Sequence, residues 1–131
     1  MKRFISKIAI LLGCISYVGC GVSGNETTDK ILSPAEYMNA LQNDEKAFLL
    51  DVRRAEEYAE GHLPGATLLD VSDSTSFAKG METLDKEKTM YIYCRSGRRS
   101  RTAAHLLTEK GFNVVDLKGG YNAWKEFINN K

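Results

Sequence analysis

An α/β domain with a mainly parallel sheet covered by helices on both faces is the fold class this chain predicts, and three observations carry that prediction. Apolar runs too brief for a helix recur along the chain, at Ala47-Phe-Leu-Leu-Asp-Val52, Thr89-Met-Tyr-Ile-Tyr93 and Asn113-Val-Val-Asp-Leu117. Between them lie segments with helical start signals, helical spacing or helix stops. Strands that alternate with helices in this way pair in parallel, because parallel neighbours need long crossover connections.

The elements follow in order. Ser33-Pro34-Ala35-Glu36 supplies an N-cap serine, a proline at the first helical position and a glutamate three residues after the cap, so a helix is predicted over 34–41. The run 47–52 reads as a buried strand, followed by a short helix over 55–59. Gly61-His-Leu-Pro-Gly65 then breaks the chain before a strand over 66–70 and a weakly periodic helix over 77–84. Residues 89–93 form the next strand, and 100–109 a helix with Ala103, Ala104, Leu106 and Leu107 at helical spacing and Gly111 as its stop. The strand 113–117 and a helix over 121–128 complete the order, and no internal repeat is present.

The 131 residues are enough for one domain with a real core, and for one only. With 43% hydrophobic and 27% charged residues and a formal net charge of +1, the composition is that of a soluble globular protein. It argues against a disordered chain and against one that coats nucleic acid.

The N-terminus stands apart from this domain. MKRFISK is basic, and IAILLGCISYVGC is an apolar run broken only by small residues, the pattern of a secretory signal. As a helix, the uncharged run from Ile8 to Val18 rises only about 16 Å, roughly half the hydrocarbon thickness, so a membrane span is disfavoured. Two Gly-Cys pairs, ending at Cys14 and Cys20, resemble the bacterial lipobox, in which a small residue precedes a cysteine that becomes lipidated. Cleavage before Cys14 leaves an apolar region of about six residues, short of the usual ~7–15, whereas cleavage before Cys20 fits. Tyr17 departs from the aliphatic residue usual in the lipobox, where Leu11 would match better, which keeps Cys14 open. The reading is therefore a signal over 1–19, a flexible polar tether over 20–29 and a domain over 30–131. Removal of the signal leaves 15 basic and 17 acidic residues.

Lipidation of Cys20 leaves Cys94 as the one free thiol of a secreted domain. That excludes an intramolecular disulfide and a zinc site of several cysteines, and marks Cys94 as a candidate reactive group. In such sheets ligands bind outside the carboxyl ends of the strands. Cys94 sits at one such end, and Asp51 and the pair Arg53-Arg54 sit at or beyond another.

The segment Cys94-Arg-Ser-Gly-Arg-Arg-Ser100 suits an anion. Arg95, Arg98, Arg99 and Arg101 place four cations within seven residues, and a loop opening a helix presents inward N–H groups. Both features favour a thiolate, while Gly97 allows the turn. Arginines oppose the macrodipole at a helix N-terminus, so a cluster there calls for a compensating anion. An inert buried cysteine followed by a solvated basic helix start is the plain alternative.

Residues 31–127 resemble a single-domain rhodanese, a sulfurtransferase module. The resemblance is carried by Leu50-Asp-Val-Arg53, Glu57-Tyr58, Gly61-His-Leu-Pro-Gly-Ala66, Cys94-Arg-Ser-Gly-Arg-Arg-Ser100 and Leu117-Lys-Gly-Gly-Tyr-Asn-Ala-Trp124, in that order. It implies a rhodanese-like, five-stranded parallel sheet, with Cys94 taking a sulfane sulfur as a persulfide and passing it to a thiophilic acceptor such as cyanide or a thiol. The loop 94–99, with Arg95, Ser96, Gly97, Arg98 and Arg99, corresponds to the family's six-residue substrate cradle, whose N–H groups stabilise the persulfide in the manner of an oxyanion hole. Double displacement with ping-pong kinetics is the implied mechanism. No cofactor or metal is implied.

Within the family the residues after the cysteine influence the donor. Arg95-Ser96 favours thiosulfate over mercaptopyruvate, a small anionic donor in either case. A phosphatase branch has a loop one residue longer than the one between Cys94 and Arg99, and so fits less well. A persulfide carrier or binding module that docks on a redox partner is the other reading. Asp51 and Arg53 are expected to support the loop by hydrogen bonds and an ion pair, and Glu57 to be structural. His62 is read as a turn residue, His105 as a packing or surface residue, Tyr121 and Trp124 as core or core-edge residues, and Gly119-Gly120 as a turn. The N-terminus adds an expected location in a bacterial cell envelope, on the periplasmic or surface side, anchored through lipid at Cys20.

Overall fold

The computed structural model describes residues 26–131. Five strands, β1 (Asp29–Leu32), β2 (Ala47–Asp51), β3 (Thr67–Leu68), β4 (Thr89–Tyr93) and β5 (Asn113–Leu117), form one sheet in the order β1-β5-β4-β2-β3. Every pairing is parallel. Five helices alternate with the strands: α1 (Pro34–Gln42), α2 (Ala55–Glu60), α3 (Ser74–Met81), α4 (Arg99–Glu109) and α5 (Gly120–Asn129).

The pleat sorts the buried residues of β4 onto two faces, because successive side chains point to opposite sides. Met90, Ile92 and Cys94 pack with Phe77 and Met81 of α3 and Ala103, Ala104 and Leu107 of α4. Tyr91 and Tyr93 face the other way, toward Tyr37 of α1, Tyr58 of α2 and Tyr121 and Trp124 of α5. The helix expected over 34–41 closes through its capping box: Glu36 N–H donates to Ser33 Oγ at 3.3 Å and Ser33 N–H to Glu36 Oε1 at 3.2 Å.

Three boundaries differ from the sequence expectations in ways that bear on the fold, two because a partner distant in the chain decides them and one through a local cap. Residues 28 and 29, assigned above to the tether, already belong to the sheet: Val114 N–H donates to the Thr28 carbonyl at 2.9 Å and β1 starts at Asp29, one residue before the predicted domain start. The strand expected over 66–70 shortens to Thr67–Leu68, since it finds partners only at Leu50 and Asp51. The helix expected over 77–84 begins at Ser74, where Asp73 accepts from Ser76 N–H at 3.2 Å, and ends at Met81.

The strand order also positions a crevice. The chain leaves β2 toward one edge of the sheet and leaves β4 toward the other, with α2 and α4 on opposite faces. The boundary between β2 and β4 is therefore the topological switch point, where loops at the carboxyl ends diverge and leave room for a ligand.

Candidate active site

Cys94 follows the last residue of β4 beside this switch point and is only 1% exposed. Gly97 adopts φ +105, a left-handed conformation that favours glycine, and the turn brings its N–H back to Cys94 Sγ at 3.0 Å. The Cys94 thiol also lies 3.6 Å from Ser100 Oγ, a fully buried hydroxyl in the first turn of α4.

The first turn of α5 braces the loop from behind. Tyr121 N–H donates to the Cys94 carbonyl at 2.8 Å and Asn122 N–H to the Arg95 carbonyl at 3.1 Å. Among the described residues no peptide bond is cis, so the N–H of Arg95 and of Ser96 points opposite to these carbonyls, away from α5. Residue 120 has to be glycine for this contact. A Cβ there would stand 2.5 Å from the Cys94 carbonyl oxygen and 2.6 Å from the Arg95 carbonyl, on a backbone with φ +61.

The four arginines separate into two kinds. Arg99 forms a bidentate pair with Glu57 at 2.8 and 2.9 Å. Arg101 bridges Asp116 at 2.9 Å and Asp29 at 2.8 Å, and so ties α4 to β5 and β1. Arg95 and Arg98 are exposed and have no carboxylate partner among the described residues. The compensating anions that the cluster requires are therefore, for two of its members, the protein's own carboxylates. The hydrogen bonds from Arg99 hold the Glu57 carboxyl at a pKa of about 2, helped by the Arg54 N–H and opposed by burial. Burial pushes Asp116 the other way, above the ordinary carboxylate range, against the pull of Ser100 and Arg101.

Asp51 and Arg53 form a buried ion pair at the carboxyl end of β2. Arg53 Nε donates to Asp51 Oδ1 at 2.9 Å and Nη2 to Oδ2 at 2.8 Å, and Nη2 reaches the Gly61 carbonyl at 2.7 Å. The Tyr93 hydroxyl donates to Asp51 Oδ2 at 2.8 Å and accepts from Leu63 N–H at 3.0 Å, so both ends of a buried hydroxyl are satisfied. Burial raises the Tyr93 pKa, which keeps it a donor. The Arg53 guanidinium lies 4.3 Å from the centroid of the Tyr121 ring.

Beside the loop, Arg53, Gly61, Arg95, Tyr121, Asn122 and Lys125 line a cleft of about 270 Å³ that also meets Glu57 and Glu60. A shallower depression is lined by Arg54, Glu56, Glu57, Arg95 and Arg99. His62 lies apart from Cys94 chemistry: its Nδ1–H donates to the Tyr58 carbonyl at 2.8 Å and its ring stacks on Tyr58 at 3.7 Å. His105 is exposed on α4, and Tyr121 and Trp124 stack at 5.6 Å at the edge of the second core. Among the described residues no group of three His, Cys, Asp or Glu is placed to hold a metal.

Sequence reasoning passed over Lys125, Asn122, Asp116 and the contact of Gly120 with the loop. The one local signal was the pair Gly119-Gly120 ahead of a helix, and it says nothing of what the helix start touches.

Comparison with known proteins gives the same architecture a family. The profile of the rhodanese-like domain matches residues 33–127. A Bacillus subtilis protein, YtwF, named as a candidate sulfurtransferase, is 41% identical over 96 residues, covering 73% of this chain and 90% of its own length. YrkF of the same organism, named as a candidate sulfur carrier protein, is 31% identical over 103 residues, 78% of this chain but only 54% of that protein. A solved structure of a rhodanese-like domain protein from Staphylococcus aureus, 29% identical, superposes with a TM-score of 0.65 over 72% of this chain and 90% of its own. A family profile that spans most of the described domain, and a relative alike over nearly its whole length, agree with the parallel sheet and the loop at its switch point: the chain belongs to the rhodanese-like domain family.

Proposed function

We propose that this protein is a sulfurtransferase that moves a sulfane sulfur from a small anionic donor, thiosulfate by preference, to cyanide or a thiol through a persulfide on Cys94. The observation that carries the reading is the loop itself. A thiol at the switch point faces the Gly97 N–H at 3.0 Å, and two exposed arginines of the loop, Arg95 and Arg98, have no carboxylate partner among the described residues. Donors aimed at one sulfur suit an atom that gains charge during the reaction, and free cations suit an anionic donor. The name of YtwF supports sulfur transfer in general.

The test is a steady-state assay with thiosulfate and cyanide, run with wild-type protein and Cys94→Ser. Thiocyanate and sulfite formation by the wild type, and their loss in a variant with an unchanged circular dichroism spectrum, are the expected results. Turnover by folded Cys94→Ser would overturn the mechanism.

A second reading, a persulfide carrier that serves a protein redox partner, is favoured by the name of YrkF and by the depth of Cys94, 1% exposed. Stoichiometric loading with little turnover on small acceptors would select it. A phosphatase activity is disfavoured, because Arg99, at the end of the loop, is held by Glu57 and the loop is short. The lipid-anchored location in a bacterial cell envelope rests on residues 1–25, including Cys14 and Cys20, which lie outside the described residues.

A further inference from the structure

Cys94 Sγ has two roles in the sulfur-transfer reading, on which this inference rests. In the loading step its thiolate attacks the outer sulfur of thiosulfate, and the broken S–S bond leaves its electron pair on sulfite. In the discharge step a lone pair of cyanide or a thiolate attacks the outer sulfur of the persulfide. The S–S bond breaks, its pair returns to Sγ, and thiocyanate or a persulfide departs. No oxidant or reductant enters either step. In discharge Sγ is a leaving thiolate, and it is buried where water cannot solvate the returning charge.

The protein therefore has to supply the donors. Gly97 N–H is one, at 3.0 Å. The other group in reach is Ser100 Oγ at 3.6 Å, fully buried. Asp116, 2% exposed, accepts from Arg101 through Oδ2 while its Oδ1 has no hydrogen-bond partner. The Ser100 hydroxyl favours the ionised form of this carboxyl. A serine hydroxyl has one proton to donate. When Cys94 is a thiol, S–H donates to Oγ; when Sγ has no proton, the hydroxyl can turn to the sulfur.

We propose that Ser100 is the leaving-group donor of the discharge step, its hydroxyl turning to Sγ as the persulfide bond breaks. The sign of its effect differs between the two steps. A donor on Sγ stabilises a departing thiolate and therefore speeds discharge, whereas in loading it stabilises the attacking thiolate and gives no acceleration. Loss of one hydrogen bond to a charged atom corresponds to roughly a tenfold slowing.

The experiment loads wild type, Ser100→Ala, Ser100→Thr and Asp116→Asn with excess thiosulfate, removes the donor, and follows the sulfur-heavier species by intact mass after addition of cyanide or a small thiol. Circular dichroism checks each fold. Ser100→Ala should load at the wild-type rate or faster and discharge about 5- to 10-fold more slowly, Ser100→Thr should recover discharge, and Asp116→Asn should discharge no more slowly than wild type. Wild-type discharge by Ser100→Ala, equal slowing of both steps, or slowing by Asp116→Asn as large as that of Ser100→Ala would overturn the assignment. A wild type that never gains a sulfur atom would overturn the persulfide reading itself, and this inference with it.

Discussion

Arg95, Arg98 and Arg99 are close in the chain but differ in what holds them, and their substitutions should differ accordingly. Arg95 and Arg98 are exposed and have no carboxylate partner among the described residues, which leaves their charge open to an anion. Arg95→Ala or Arg98→Ala should raise the KM for thiosulfate several-fold with little change in kcat, and added salt should weaken the wild type similarly by screening. Steady-state kinetics at two ionic strengths check this; a fall in kcat at constant KM would contradict it. Arg99 is held by Glu57, and this pair has its own pH signature. The Glu57 pKa falls from an ordinary 4.5 to about 2, first because of the hydrogen bonds from Arg99. A depressed carboxyl pKa contributes stability above the unfolded value and loses it as pH falls through the folded one. Glu57→Gln should therefore cost up to about 1 kcal/mol at pH 7, a figure modest because both side chains are partly exposed. That difference from wild type should shrink between pH 4.5 and pH 2, as read from denaturant unfolding at each pH.

At the scale of elements, the cradle is shaped by the start of α5 as much as by its own residues. The two carbonyls of Cys94 and Arg95 accept from the first N–H groups of α5, donors that a helix leaves unpaired. Gly120→Ala would push a methyl group into those carbonyls, and a strained left-handed backbone adds its own penalty. The expected loss is about 2–4 kcal/mol, with slower sulfur loading. Gly111→Ala is the matched comparison: its φ is +98, but the added Cβ would meet only the Lys86 side chain at 3.8 Å. Chemical denaturation and loading rates of the two variants separate strain from collision. Equal losses would mean that the contact between α5 and the loop matters little.

For the whole molecule, the all-parallel sheet sets the direction of the chain. Asp29 opens β1 at the amino end of the sheet, and Cys94 follows the carboxyl end of β4. A tether that enters at Asp29 thus attaches at the end opposite the cradle, and sulfur transfer should not depend on anchoring. Cys20→Ala should move the protein from the membrane to the soluble fraction with sulfur transfer retained, whereas Cys14→Ala should leave it membrane-associated. Fractionation with palmitate labelling reads both. The reverse dependence would place the processed cysteine at Cys14.

Much of this fold is legible in the chain because its signals are local. Ser33, Pro34 and Glu36 specify the start of α1 within four residues, and the apolar runs of β2, β4 and β5 identify buried strands without reference to any partner. The motif around Cys94 likewise announces a thiol in a turn at a strand end. β1 is different: it is four residues long with three of them exposed, and it exists because β5 offers it a pairing edge more than 80 residues away. The same holds for the partners of the arginines, 42 residues away for Arg99 and 72 from Arg101 to Asp29. Short-range hydrogen bonding and hydrophobic period wrote the elements into the sequence. Which charges stay free and which atoms meet at the sulfur was decided only by tertiary structure, because the order β1-β5-β4-β2-β3 brings together residues that no local window contains.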